Sequence, residues 1–157
     1  MPKNILRFII SIVTCETVGI IGSIFTLSSI QTWYMFLNKP SFNPPNWIFG
    51  PVWTVLYALM GVSLYLIWNK GLKSNKTKNA LKIFFVQLAF NFLWSIVFFG
   101  LHNPLLALIV ITFLWASILY TILLFKKISQ IAAFLLFPYI LWVSFAVLLN
   151  LFIVLLN

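Results

Sequence analysis

The sequence predicts an all-α fold, a polytopic membrane protein built as a bundle of five transmembrane helices. Three observations carry this. Of the 157 residues, 63% are apolar and only 7% charged, whereas a soluble domain carries about a quarter charged residues. The apolar residues fall into five continuous runs long enough to cross a bilayer. The ten basic residues sit in the gaps between the runs or at the runs' ends, where they set topology, so the net charge of +9 is not a nucleic-acid-binding stripe.

The first run, Ile5–Leu27, has Lys3 just before it and Arg7 in its first turn. That start resembles a signal peptide, but the run is too long for one and no Ala-x-Ala site follows, so it reads as a retained helix. It carries a stripe of small residues, Ser11, Cys15, Gly19 and Ser23, of the kind that lets a second helix backbone approach. Cys15 is the only cysteine, which excludes an intrachain disulfide. Glu16 is the only acid. A carboxylate at membrane depth costs about 2.5–3.5 kcal/mol, so it faces protein or water or is protonated, as a hydrogen-bonded packing residue or as a proton or cation site.

Between Ser28 and Asn46 lies a loop containing Trp33, Tyr34, Lys39, Pro40, Phe42, Pro44 and Pro45. Its prolines make it extended and stiff. It reads either as an interfacial anchor, with aromatics at headgroup level, or as a lid over a cavity between helices.

The remaining runs are Trp47–Trp68, Leu81–Phe99, Pro104–Phe125 and Ile131–Leu155. Continuous apolarity excludes the alternation of a barrel, and lipid requires the backbone to satisfy itself within each span. The whole chain, 1–157, reads as one domain. Lys3, Arg7, Lys70, Lys73, Lys76, Lys78, Lys82, Lys126 and Lys127 fall on one side and Lys39 alone on the other. The positive-inside rule then puts the N-terminus in the cytoplasm and the C-terminus outside, as suits a prokaryotic plasma membrane.

Three runs present faces combining tryptophan with polar or small residues: Trp53, Tyr57, Met60 and Leu64; Asn91, Trp94 and Phe98; and Pro138, Trp142, Ala146 and Asn150. Aromatic walls with a few polar groups suit a planar apolar ligand, and an asparagine in lipid needs a partner across a helix interface or in a cavity. His102 stands alone and is not a metal site. No Ser–His–acid set, Gly-rich phosphate loop or CxxC is present, so no metal or cofactor is expected.

Trp33-Tyr34, then Lys39-Pro40-Ser41-Phe42-Asn43-Pro44-Pro45-Asn46-Trp47, then Gly50-Pro51-Val52-Trp53-Thr54-Val55-Leu56-Tyr57 resemble the signature of the TspO/MBR family. Asn91-Phe92-Leu93-Trp94 with Phe98-Phe99-Gly100 is similar to its third helix. Pro138-Tyr139-Ile140-Leu141-Trp142, Phe145-Ala146 and Leu149-Asn150 are similar to its fifth. The resemblance spans almost the whole chain. It implies a five-helix bundle, often a homodimer, whose cavity opens toward the first loop and takes porphyrins such as protoporphyrin IX, other planar apolar ligands, and contacts with membrane lipids.

By the same resemblance the cavity residues are Trp53, Tyr57, Asn91, Trp94, Phe98, Trp142 and Ala146, with Phe42 and Pro44 in the lid. The implied roles are transport, sensing or regulation of porphyrins, or light-dependent porphyrin breakdown, with Trp53 and Trp142 as redox candidates; apart from the resemblance, a membrane scaffold regulating a partner is the third reading. Two features of animal members are missing. The end of the fifth run, Leu149 to Asn157, has no tyrosine or arginine of a sterol motif, and the early fourth run has no acid.

Overall fold

Each of the three short connections ends in a residue that caps the next helix, and this sets where the spans begin. In the computed structural model, which describes residues 3–157, α1 runs Lys3–Ile30, α2 Phe49–Trp68, α3 Asn75–Ser95, α4 Pro104–Lys126, α5 Gln130–Leu135 and α6 Phe137–Leu156. The Ser74 hydroxyl accepts from the Lys76 amide, Asn103 Oδ1 from the Leu106 amide, and Ser129 from the Ala132 amide. These are N-caps that satisfy amides a helix start leaves open. Pro104 stands in the first turn of α4, where a missing N–H costs nothing. Met1 and Pro2, within the expected domain, lie outside the described residues.

Five spans are long and apolar enough to cross a membrane: Lys3–Ile30, Asn46–Trp68, Asn75–Gly100, Pro104–Lys126 and Gln130–Leu156. Two differ from expectation. The third span begins at Asn75 rather than Leu81, because the Ser74 cap lets Lys76, Lys78 and Lys82 join the helix with their charges at its end. The fifth is broken. Pro138, which lacks a backbone N–H, follows the break at Leu136, which separates α5 from α6. The third span also widens at its far end into a π-turn, Ile96–Gly100, where the Leu101 amide bonds the Ile96 carbonyl at 2.8 Å.

Around the bundle the order is α1, α2, α5–α6, α4, α3 and back to α1. Glycine sets the α1–α2 approach: a Cβ on Gly61 would stand 2.7 Å from Ile12 Cα. Ser11 and Cys15 are buried, and the Tyr57 ring lies on Gly19, so these three positions of the small-residue stripe serve close packing. Large aliphatics such as Ile24, Leu141 and Leu155 face outward and are more than 60% exposed, as a lipid-facing exterior requires.

The five spans alternate in direction, so nine of the ten bases gather at or within about two turns of one end. We call this the basic end and the opposite one the loop end. At the basic end α2 packs extensively on α5, and Ser63 Oγ donates to the Ala132 carbonyl at 2.7 Å. Toward the loop end α2 hardly touches α6. The two diverge there. Below the divergence the core is closed by fully buried Met60, Ile67, Phe84, Phe125 and Tyr139.

Candidate functional site

The divergence of α2 from α6 leaves a cavity of about 470 Å³ in the loop-end half of the bundle, within the range of small-molecule sites. Trp53 and Tyr57 of α2, Trp94 and Phe98 of the third span, and Trp142 and Ala146 of α6 all line it. The π-turn also brings Phe99 to the lining. On a regular helix, neighbours such as Phe98 and Phe99 would point about 100° apart; the extra residue of a π-turn changes that register.

Around the cavity the aromatic rings touch one another. Trp53 lies 5.6 Å from Tyr57 and 6.4 Å from Tyr139, Trp94 stacks on Phe98 at 5.3 Å, and Trp142 meets Phe49 edge-on at 6.0 Å. Such pairs hold one another's orientation as well as burying area. One indole is further tethered: Trp94 Nε1 donates to Asn150 Oδ1 at 3.0 Å, and Asn150 Nδ2 in turn donates to the Pro104 carbonyl at 2.8 Å. Trp142 Nε1 is a buried donor with no partner among the described residues.

Asn91 is not in the lining. It stands behind Tyr57, in a buried chain of hydrogen bonds that runs toward the basic end. The Tyr57 hydroxyl donates to Asn91 Oδ1 at 2.6 Å, Asn91 Nδ2 to the Tyr139 hydroxyl at 2.8 Å, and the Tyr139 hydroxyl to Gln87 Oε1 at 2.7 Å. The face that groups Asn91 with Trp94 and Phe98 is therefore split, its inner part being structural. Pro138 is also outside the lining, on the exposed side of α6, and Met60 and Leu64 lie in the core below.

Phe42 and Pro44, expected in the lid, are not in the lining either. Phe42 packs on the flank of α6, 6.2 Å from Phe145 and 5.2 Å from Phe152. The first loop instead contributes Tyr34, Asn46 and Trp47 to the lining. The loop is braced from within. Lys39 Nζ donates to the carbonyls of Tyr34, Met35 and Leu37 at 2.8, 3.3 and 2.9 Å, and the Tyr34 hydroxyl donates to Asn43 at 2.9 Å. Burial pushes the Tyr34 phenol up to about 12. Asn38 and the Asn157 side chain exchange bonds, backbone N–H to Oδ1 and Nδ2–H to carbonyl, both at 3.0 Å.

The helix that sequence reasoning left out of the cavity is α1. Glu16, Gly19, Ile20, Ser23, Thr26 and Leu27 form a whole wall. No tryptophan marks that wall; its signal is the polar and small residues recurring every three or four positions. Gln87, four residues before Asn91, was an available signal for the buried chain. His102 has a local role, stacked on Trp33 at 4.5 Å with its Nε2 3.1 Å from the Ser29 hydroxyl.

Five apolar spans surrounding an aromatic cavity define an integral, multi-pass membrane protein. The chain belongs to the TspO/MBR family, whose model matches residues 11–156. It is 47% identical to the tryptophan-rich protein TspO of Archaeoglobus fulgidus over 98% of this chain and 99% of that one. It is 43% identical to the tryptophan-rich protein TspO of Chlorobaculum tepidum over 100% and 99%. It is 37% identical to the human translocator protein over 83% and 78%.

Proposed function

We propose that this protein binds a tetrapyrrole such as protoporphyrin IX in the loop-end cavity and acts in its transport, sensing or regulation. The observation that carries the reading is the cavity wall. Trp53, Trp94, Phe98 and Trp142 present flat rings from three spans around one space, and a macrocycle with a large π-face gains from such surfaces both burial and ring–ring contact. The first loop serves as the lid, through Tyr34, Asn46 and Trp47 rather than Phe42 and Pro44. With the basic end in the cytoplasm, the cavity opens toward the outer half of a prokaryotic plasma membrane.

The test is titration of the purified protein with protoporphyrin IX in the dark, followed by tryptophan fluorescence. Saturable quenching is expected, and it should be lost in the Trp53→Ala, Trp142→Ala double variant. Unchanged affinity in that variant overturns the site.

A second reading, light-dependent breakdown of the bound porphyrin, draws support from two oxidisable indoles, Trp53 and Trp142, in the same lining. The illuminated arm of the titration decides it. Loss of the porphyrin absorption band no faster than in protein-free micelles removes the enzyme reading and leaves the binding one.

A further inference from the structure

Glu16 is the only acid in the chain and, among the described residues, the only charged one in the cavity lining. It stands midway between Lys3 and Ile30, about 20 Å from either end of α1, so it marks the foot of the cavity at mid-membrane depth. The bases are engaged or distant. Arg7 lies over the Trp68 ring at the basic end, at 5.7 Å. Lys39 is spent on three carbonyls of the first loop, and the other eight cluster at the basic end. The cavity thus holds a carboxyl group for whose ionised form its own walls supply no counter-charge.

Its surroundings are shaped for a ligand group. One turn along, Gly19 has no side chain and the Tyr57 ring occupies the space beside it, with Trp53 next to Tyr57. A cation seated at Glu16 would meet an opposite charge in a low-dielectric site, where such a pair is poorly screened, together with nearby aromatic faces that attract cations. A ligand carboxylate at the same place would meet like charge.

We propose that Glu16 forms a subsite for a protonated amine, so that the cavity takes planar aromatic amines and orients any acidic ligand with its carboxylates toward the loop end. This rests on the cavity being the ligand site, and the experiment separates the two. Pyrenemethylamine and pyrenemethanol, which share one ring system, are titrated against the protein in maltoside micelles alongside protoporphyrin IX, with tryptophan quenching as the readout. The amine should bind about tenfold or more tightly than the alcohol. Glu16→Gln should abolish that preference. Equal binding of amine and alcohol, or a preference that survives Glu16→Gln, overturns the inference and leaves the cavity reading standing. Absence of quenching by all three probes overturns both. Where Glu16→Gln does not fold, the comparison in the unaltered protein and in Glu16→Asp, which must keep the preference, decides.

Discussion

The Tyr57 hydroxyl donates to Asn91 Oδ1 across 2.6 Å, joining α2 to α3 directly behind the cavity wall. One side chain therefore has two duties: its ring face lines the cavity, and its hydroxyl ties the bundle together.

These duties separate in Tyr57→Phe. The ring stays, so protoporphyrin IX affinity should be nearly unchanged. Asn91 Oδ1 loses its donor in a buried site, which costs about 1–3 kcal/mol. A lowered melting temperature in detergent with intact binding is the expected result. Adding Asn91→Leu should cost less than the sum of the two single changes, because no polar atom at Asn91 is then left bare.

Gly61 allows the closest helix approach described. An alanine there brings a methyl against the Ile12 backbone, which cannot rotate away as a side chain could. Gly61→Ala should destabilise by about 1–3 kcal/mol through overpacking. Gly50, where a Cβ meets nothing within 4 Å, is the matched control and should tolerate alanine. Thermal unfolding of the two variants side by side checks this.

Ser63→Ala removes the bond that pins α2 to α5 beside the helix break. A cross-helix bond of this kind in a membrane is worth about 0.6 kcal/mol, with an upper value of about 1.7. The variant should melt slightly earlier and show faster amide exchange in α5, with exchange in α4 unaltered.

Tyr34 provides a pH-dependent test. Burial raises its phenol to about 12 from an ordinary value of about 10. The unfolded chain releases this proton first, so the associated stability is complete below about pH 10 and is lost as pH rises through about 12. Tyr34→Phe removes that contribution. Its alkaline unfolding curve should be shallower over this interval, and a curve parallel to the unaltered protein's would contradict the assignment.

Most of the span pattern could be read from the sequence, because apolar length and basic-residue asymmetry are properties of local composition. The break at Leu136 was not signalled by hydropathy, which stays high across it; Pro138 was the sign, and it was read only as part of a face. Trp53, Trp94 and Trp142 could be placed at the cavity because an indole N–H at membrane depth finds no partner in lipid and turns toward protein or an internal space. Asn91 was misplaced for a geometric reason. Helical spacing gives a face but not which neighbour fills it, and Tyr57 stands between Asn91 and the open space. The α1 wall was hidden because small residues signal close packing and an opening equally well.

The fully buried layer beneath Tyr57, with Met60, Phe84, Phe125 and Tyr139 sealed around it, makes the cavity a blind pit rather than a bore. A pit of this kind exchanges its contents with one leaflet and one aqueous phase only. Ions have no continuous wet route across it, so a cell can carry many copies without discharging its membrane potential. Passing a bulky guest from one face to the other would require the sealed half itself to come apart.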